Sequence, residues 1–226
     1  MIKAFLIDLF DTLVYIDEEP YLAFRDEMAR ALGIECGEFR KVWRARTPDR
    51  FLGKIRDTGE MLAMVGAHFG VSVADGIKER LVLEERERLL SYSHLYPGVM
   101  EALGAIRSEG FKTALVSNAS NNSLFIAEHL GLVPCFDTLV ISCELGVSKP
   151  DPAIYREALS RLRIGPDEAL FIGDGACEEL DGAHRLGIYT ARIVQEPQSS
   201  LFGKSSHCDF EIGTLAEALA LARAIR

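Results

Sequence analysis

The sequence predicts an α/β protein: a mainly parallel sheet between two layers of helices, with an all-helical insertion after the first strand. Three observations predict it. Residues 2–7 form an apolar run broken only by Lys3, as in a strand of a parallel sheet covered on both faces. From Pro97 onward short apolar runs alternate with helical patterns, and strands separated by helices imply right-handed crossovers. Between these regions, residues 16–91 show helical periodicity and no strand pattern.

The first strand ends in an acid. Asp8-Leu9-Phe10-Asp11-Thr12-Leu13 puts a carboxylate where the strand would stop, and ligands of open α/β sheets collect beyond the carboxyl ends of the strands. Asp is also a common turn residue, so this stretch alone leaves both readings open. In the insertion, residues 20–32, 38–45, 61–69 and 77–90 read as helices, separated by Gly33, Gly37, Pro48, Gly53 and residues 70–75.

The alternation then resumes. A helix over 97–108 has Pro at its start and Gly110 beyond its end. A strand over 112–116 ends in Ser117-Asn118, followed by a helix over 121–130 and a short strand over 139–141. Ser148-Lys149-Pro150-Asp151-Pro152 opens a helix over 151–162, and a strand over 169–172 ends in Gly173-Asp174-Gly175. A helix over 178–186, strands over 189–193 and 209–212, and a helix over 215–224 complete the pattern, with residues 195–206 as a long loop.

Composition narrows the function. A chain of 226 residues that is 48% hydrophobic and 26% charged buries a core without disulfides and is not disordered. Its net charge of −9 argues against nonspecific nucleic-acid binding, which rests on Lys and Arg neutralising phosphates. A small anionic substrate stays open, because a bound cation or a few placed basic groups set the local field. Cys36, Cys135, Cys143, Cys177 and Cys208 are scattered without paired spacing and read as reduced thiols. Cys177 lies beside Asp174, Glu178 and Glu179, acids that raise a thiol pKa and oppose a nucleophilic role. The N-terminus does not read as a signal peptide, and no stretch approaches the roughly 18 apolar residues of a membrane span, so the expected compartment is the cytoplasm.

The acids suggest a chemistry. A carboxylate is a usable nucleophile for phosphoryl transfer or for displacing a good leaving group. Its repulsion of a phosphate dianion must be offset by cations, and hard oxygen ligands suit Mg²⁺. Asp8 and Asp174 are expected at strand ends on one edge of the sheet, with Glu178 and Glu179 in the next turn, although acids also sit well at a helix N-terminus.

In order and approximate spacing, Asp8, Ser117-Asn118, Lys149 and Gly173-Asp174-Gly175 resemble the four motifs of the haloacid dehalogenase-like hydrolase superfamily. The resemblance covers nearly the whole chain and includes Tyr96-Pro97-Gly98, Gly182-Ala183, Leu186-Gly187 and Cys208-Asp209-Phe210. It implies a Rossmann-like core of residues 1–15 and 92–226 and a helical cap of residues 16–91. It also implies a hydrolase with Asp8 as nucleophile and Lys149 as fixed positive charge, while Ser117 and the backbone of Asn118 donate to phosphoryl oxygens. Mg²⁺ would be held by Asp8, the backbone carbonyl of Phe10 and Asp174, with Glu178 or Glu179 reaching it through water. Thr12 would support the Asp8 loop.

The chain departs from the pattern at Phe10, where the family's phosphatases carry a second Asp as acid and base. The 2-haloacid dehalogenases of the superfamily put an aromatic there and need no metal, so Phe10 counts for a dehalogenase and the acids around Asp174 count against it. Asp11 replaces the missing acid only if the loop turns, since neighbours in an extended segment face opposite ways. The resulting expectation is a Mg²⁺-dependent phosphatase of a small phosphorylated metabolite, monomer or homodimer. A 2-haloacid dehalogenase and a binding protein without turnover are the alternatives. Arg25, Arg40, Trp43, Arg44, Arg46 and Arg50 are candidates for substrate contacts, and His68 and His94 read as structural.

Overall fold

The computed structural model describes residues 1–197 and 205–225. The chain runs through β1 (Ala4–Ile7) and β2 (Val14–Ile16) into helices α1 (Glu18–Ala31), α2 (Cys36–Phe51), α3 (Thr58–His68) and α4 (Asp75–Tyr92), and returns through β3 (Ser93–Leu95). It continues as α5 (Val99–Ser108), β4 (Lys112–Ser117), α6 (Asn121–His129), β5 (Thr138–Ile141), α7 (Ser142–Leu145) and α8 (Pro152–Leu162). The last elements are β6 (Ala169–Gly173), α9 (Glu179–His184), β7 (Tyr189–Ile193), β8 (Phe210–Ile212) and α10 (Leu215–Ala224).

Six strands form one parallel sheet in the order β5-β4-β1-β6-β7-β8. The apolar run at the N-terminus is thus a central strand. Its residues alternate between layers, as a pleated strand requires. Phe5 and Ile7 join a core with Leu103, Ile126 and Leu219 of α5, α6 and α10, whereas Ala4 and Leu6 join Ile154, Leu159 and Leu180 of α8 and α9. This is the three-layer, Rossmann-like architecture expected.

The chain passes from β1 to β4 and β5 on one side, then crosses to β6 on the other, so the strand order reverses at β1. Ile7 lies opposite both Leu115 and Ile172, which brings the ends of β1, β4 and β6 to one edge. That edge is where such sheets open a crevice.

Helices α1 to α4 carry a core of their own, built from Phe24, Met28, Phe39, Trp43, Met61, Leu62, Val65 and Leu81. Helix α2 continues through Pro48 to Phe51, beyond the expected end at residue 45. Burial of Phe39, Trp43 and Arg50 on one face of α2 favours the continued helix despite the missing N–H. The flanks of the insertion form a further, unexpected element: β2 and β3 pair antiparallel, with Tyr15 opposite His94. Three residues per strand are too few for an alternation to register in the sequence.

At the end of α2, Gly53 has φ +68°, and a Cβ there would stand 2.2 Å from the carbonyl oxygen of Cys143 on α7. Only glycine lets these backbones meet. All five cysteines are free. No helix among the described residues is long and apolar enough to cross a membrane. The expected loop over 195–206 lies partly outside the described residues.

Candidate active site

Asp8 leaves β1 with its N–H donating to the Ile172 carbonyl at 2.9 Å, which fixes its backbone beside β6. Its side chain is buried and accepts from Lys149 Nζ. Lys149 comes from the loop before α8, and Asn118 beyond β4 clamps that loop. The Lys149 N–H donates to Asn118 Oδ1 at 2.7 Å, and Asn118 Nδ2 donates to the Lys149 carbonyl at 2.9 Å. The Asn118 side chain, which the sequence did not single out, is therefore what holds the lysine's backbone.

Lys149 Nζ also donates to Glu179 Oε2 at 2.5 Å. Glu179 is buried and accepts a second bond, from the Gly175 N–H to its Oε1 at 3.0 Å. Tyr155 of α8 donates its hydroxyl to the Glu179 carbonyl at 2.7 Å. A Cβ on Gly173 would lie 2.0 Å from Glu179 Oε1, so that glycine makes the space the carboxylate occupies. Of the two adjacent glutamates only Glu179 turns inward. Glu178 adopts φ +55° at the start of α9 and is exposed.

One oxygen from each of Asp8, Asp174 and Glu179 lies within 4.8 Å of the others, and all three residues are buried. Asp8 and Glu179 share Lys149 there. Burial raises the Asp8 pKa; Lys149 opposes the shift and Asp174 adds to it. Burial likewise pushes Glu179 up to about 8 against the pull of Lys149, with Asp8 and Asp174 adding to the rise. Burial alone would lower Lys149, but Asp8 and Glu179 outweigh it and hold the ammonium protonated. Three buried acids thus lie together. An all-oxygen donor set of this kind fits a hard divalent cation such as Mg²⁺.

A cavity of about 560 Å³ opens from this cluster toward α1, α2 and α4. Asp8, Phe10, Asp11, Ser117, Asn118, Lys149, Asp174 and Glu179 line one end. Asp11 has φ +55°, and its N–H donates to the Val14 carbonyl at 2.7 Å, so the loop turns there and both Phe10 and Asp11 border the cavity. Thr12 is fully buried outside the lining; its hydroxyl has no hydrogen-bond partner among the described residues, and its carbonyl accepts from Gln195 Nε2 at 2.9 Å. Arg25, Arg40, Trp43, Arg44 and Arg50 line the other end, while Arg46, His68 and His94 lie outside it. His94 pairs instead with Asp17 at 2.9 Å. Cys177 borders the cavity; burial raises its thiol pKa, Lys149 pulls against that, and Glu179 and Asp8 push it further up.

A family model described as haloacid dehalogenase-like hydrolase matches residues 2–187. The chain belongs to the haloacid dehalogenase-like hydrolases. Two curated relatives in that family differ in activity. The (S)-2-haloacid dehalogenase 1 of Pseudomonas sp. is 29% identical over 96% of this chain and 94% of its own. The glyceraldehyde 3-phosphate phosphatase of Methanopyrus kandleri is 29% identical over 99% of this chain and 98% of its own. Among solved structures, a haloacid dehalogenase-like phosphatase from Thermococcus onnurineus superposes with a TM-score of 0.70 at 25% identity, covering 97% of both chains. This haloacid dehalogenase-like hydrolase thus has relatives on both sides of the question that Phe10 and Asp174 raise.

Proposed function

We propose that this hydrolase is a Mg²⁺-dependent phosphatase of a small phosphorylated metabolite, acting through an aspartyl-phosphate on Asp8. The observation that carries the reading is the cluster of buried Asp8, Asp174 and Glu179, of which Asp8 and Glu179 pair with Lys149. Three buried carboxylates so close together are costly, and a dehalogenase that needs no metal gives no reason to gather them.

Asp8, the Phe10 carbonyl and Asp174 would hold the ion, with Glu179 reaching it through water. When bound, Mg²⁺ offsets the charge of the phosphoryl group and of the approaching carboxylate. In the first step an Asp8 oxygen attacks phosphorus and the bond to the leaving oxygen breaks. That oxygen takes a proton from the Asp11 carboxyl group, which borders the cavity in place of the family's usual acid. In the second step water attacks phosphorus, its proton passes to Asp11, and phosphate leaves as Asp8 is restored. Lys149 stays charged throughout, while the Ser117 hydroxyl and the Asn118 N–H hold phosphoryl oxygens where charge develops.

Helices α1 to α4, spanning residues 16–91, act as a cap that closes the cavity and carries substrate contacts, as lids do. Five free cysteines support a cytoplasmic setting. A second reading, 2-haloacid dehalogenase, is favoured by Phe10, because halide leaves without a proton. Turnover of p-nitrophenyl phosphate that appears with Mg²⁺ and disappears with a chelator supports the phosphatase. Halide release from 2-chloropropionate without metal supports the dehalogenase and overturns the first reading.

A further inference from the structure

The cations of the cavity are accounted for with one buried exception. Lys149 is held by Asp8 and Glu179. Arg25 pairs with Glu85 at 2.5 Å, Arg40 pairs with Asp26, and Arg44 is exposed. Arg50 is 8% exposed and lines the cavity, yet it meets no carboxylate within ion-pair distance and makes no side-chain hydrogen bond among the described residues. Among the described residues its guanidinium carbon lies 5.7 Å from the Trp43 ring, its charge acts on Glu85 beyond ion-pair distance, and its Nε is buried without an acceptor.

The acid that would neutralise it is already engaged. Glu85 gives Oε1 to Arg25, and its Oε2 accepts from the Thr58 hydroxyl and from Asn122 Nδ2 at 3.1 Å. Two buried arginines therefore flank Trp43 with one buried carboxylate between them. An unpaired buried charge is costly unless a partner arrives. The guanidinium fork suits a carboxylate or phosphate, and the cavity that joins Arg50 to Asp8 is of metabolite size.

We propose that Arg50 receives a second oxyanion of the substrate, a carboxylate or a second phosphate, while the reacting group lies at Asp8. The substrate class is then a doubly anionic metabolite, an assignment that rests on the phosphatase reading for the reacting group. Arg50 is a specificity residue at the far end of the cavity. Its side chain lies against the Trp43 ring.

The test uses full-length Asp8→Asn protein with Mg²⁺, so that ligands bind without turnover. Calorimetric affinities are compared within two pairs, 3-phosphoglycerate against glycerol 3-phosphate and fructose 1,6-bisphosphate against fructose 6-phosphate. The doubly anionic member of one pair is expected to bind about tenfold or more tightly than its partner. The pair that shows the preference says whether the second group is carboxylate or phosphate. Adding Arg50→Gln should abolish the preference, and adding Arg50→Lys, which keeps the charge but loses the fork, should retain part of it. Circular dichroism checks folding, and the Lys variant serves if the Gln variant does not fold. No preference in either pair, or a preference unchanged by Arg50→Gln or Arg50→Lys, overturns the proposal. The phosphatase reading fails separately, when wild-type protein leaves p-nitrophenyl phosphate intact at every Mg²⁺ concentration while the Arg50-dependent preference persists.

Discussion

Asn122 on α6 donates through Nδ2 to Glu85 Oε2 on α4 at 3.1 Å, so a partly buried hydrogen bond joins the helical insertion to the helix that follows Ser117-Asn118. Burial alone would raise the Glu85 pKa. The charges of Arg25 and Arg50 and the hydrogen bonds from Thr58 and Arg25 outweigh it and hold the carboxyl below the ordinary glutamate range.

That shift fixes a pH dependence of stability. A depressed folded-state pKa stabilises above the unfolded value, and the contribution is lost as pH falls through the folded value. Glu85→Gln should therefore unfold more easily at neutral pH by about 3 kcal/mol, since it leaves Arg25 unpaired. The difference from wild type should shrink in acid, where wild type is protonated too. Urea unfolding at several pH values measures it, and a constant difference would contradict the pairing.

Metal binding has a readout besides activity. A ligand that binds only the folded state stabilises it, by about 2.7 kcal/mol at a hundred times its Kd. Mg²⁺ should raise the melting temperature of the wild type and leave that of Asp174→Asn almost unchanged. An equal response in both proteins would remove Asp174 from the ion's ligands.

Gly173→Ala tests the space behind Glu179. The new methyl would stand 2.0 Å from Glu179 Oε1 and force the carboxylate out of its place. Because groups that orient metal ligands are worth roughly 10- to 100-fold in metal affinity or activity, half-activation should need at least about tenfold more Mg²⁺. An unchanged Mg²⁺ titration would mean that Glu179 does not orient the ion.

Asp11→Asn separates the two chemistries that Phe10 leaves open. Loss of a general acid costs roughly 10² to 10⁴-fold, and the loss should be greater for alkyl than for aryl phosphates, whose leaving groups need less protonation. Equal losses on both, or none, would exclude Asp11 as the acid.

What the sequence revealed follows from how local each signal is. Asp8 and Asp174 were legible because each closes an apolar run, and such runs become adjacent strands of one sheet. Which of Glu178 and Glu179 turns inward was not legible. The choice is made by left-handed conformations at Cys177 and Glu178, which nothing in their residue types demands. The turn at Asp11 was hidden for the same reason. The β2–β3 pair joins residues far apart in the chain with three on each side. The arginines of the insertion looked alike in sequence, and only packing distinguishes Arg25, paired with Glu85, from Arg50, which lines the cavity with no ion pair among the described residues. Glu85 gave no sign of burial, because its partners come from α1, α3 and α6.

The most direct test of Asp8 as the nucleophile of a Mg²⁺-dependent phosphatase is hydrolysis of p-nitrophenyl phosphate by wild type and Asp8→Asn across a Mg²⁺ titration. Turnover should require Mg²⁺ in the wild type and be absent from Asp8→Asn at every concentration, with both proteins equally folded. Turnover that survives in Asp8→Asn, or that proceeds in the wild type with metal removed, would contradict it.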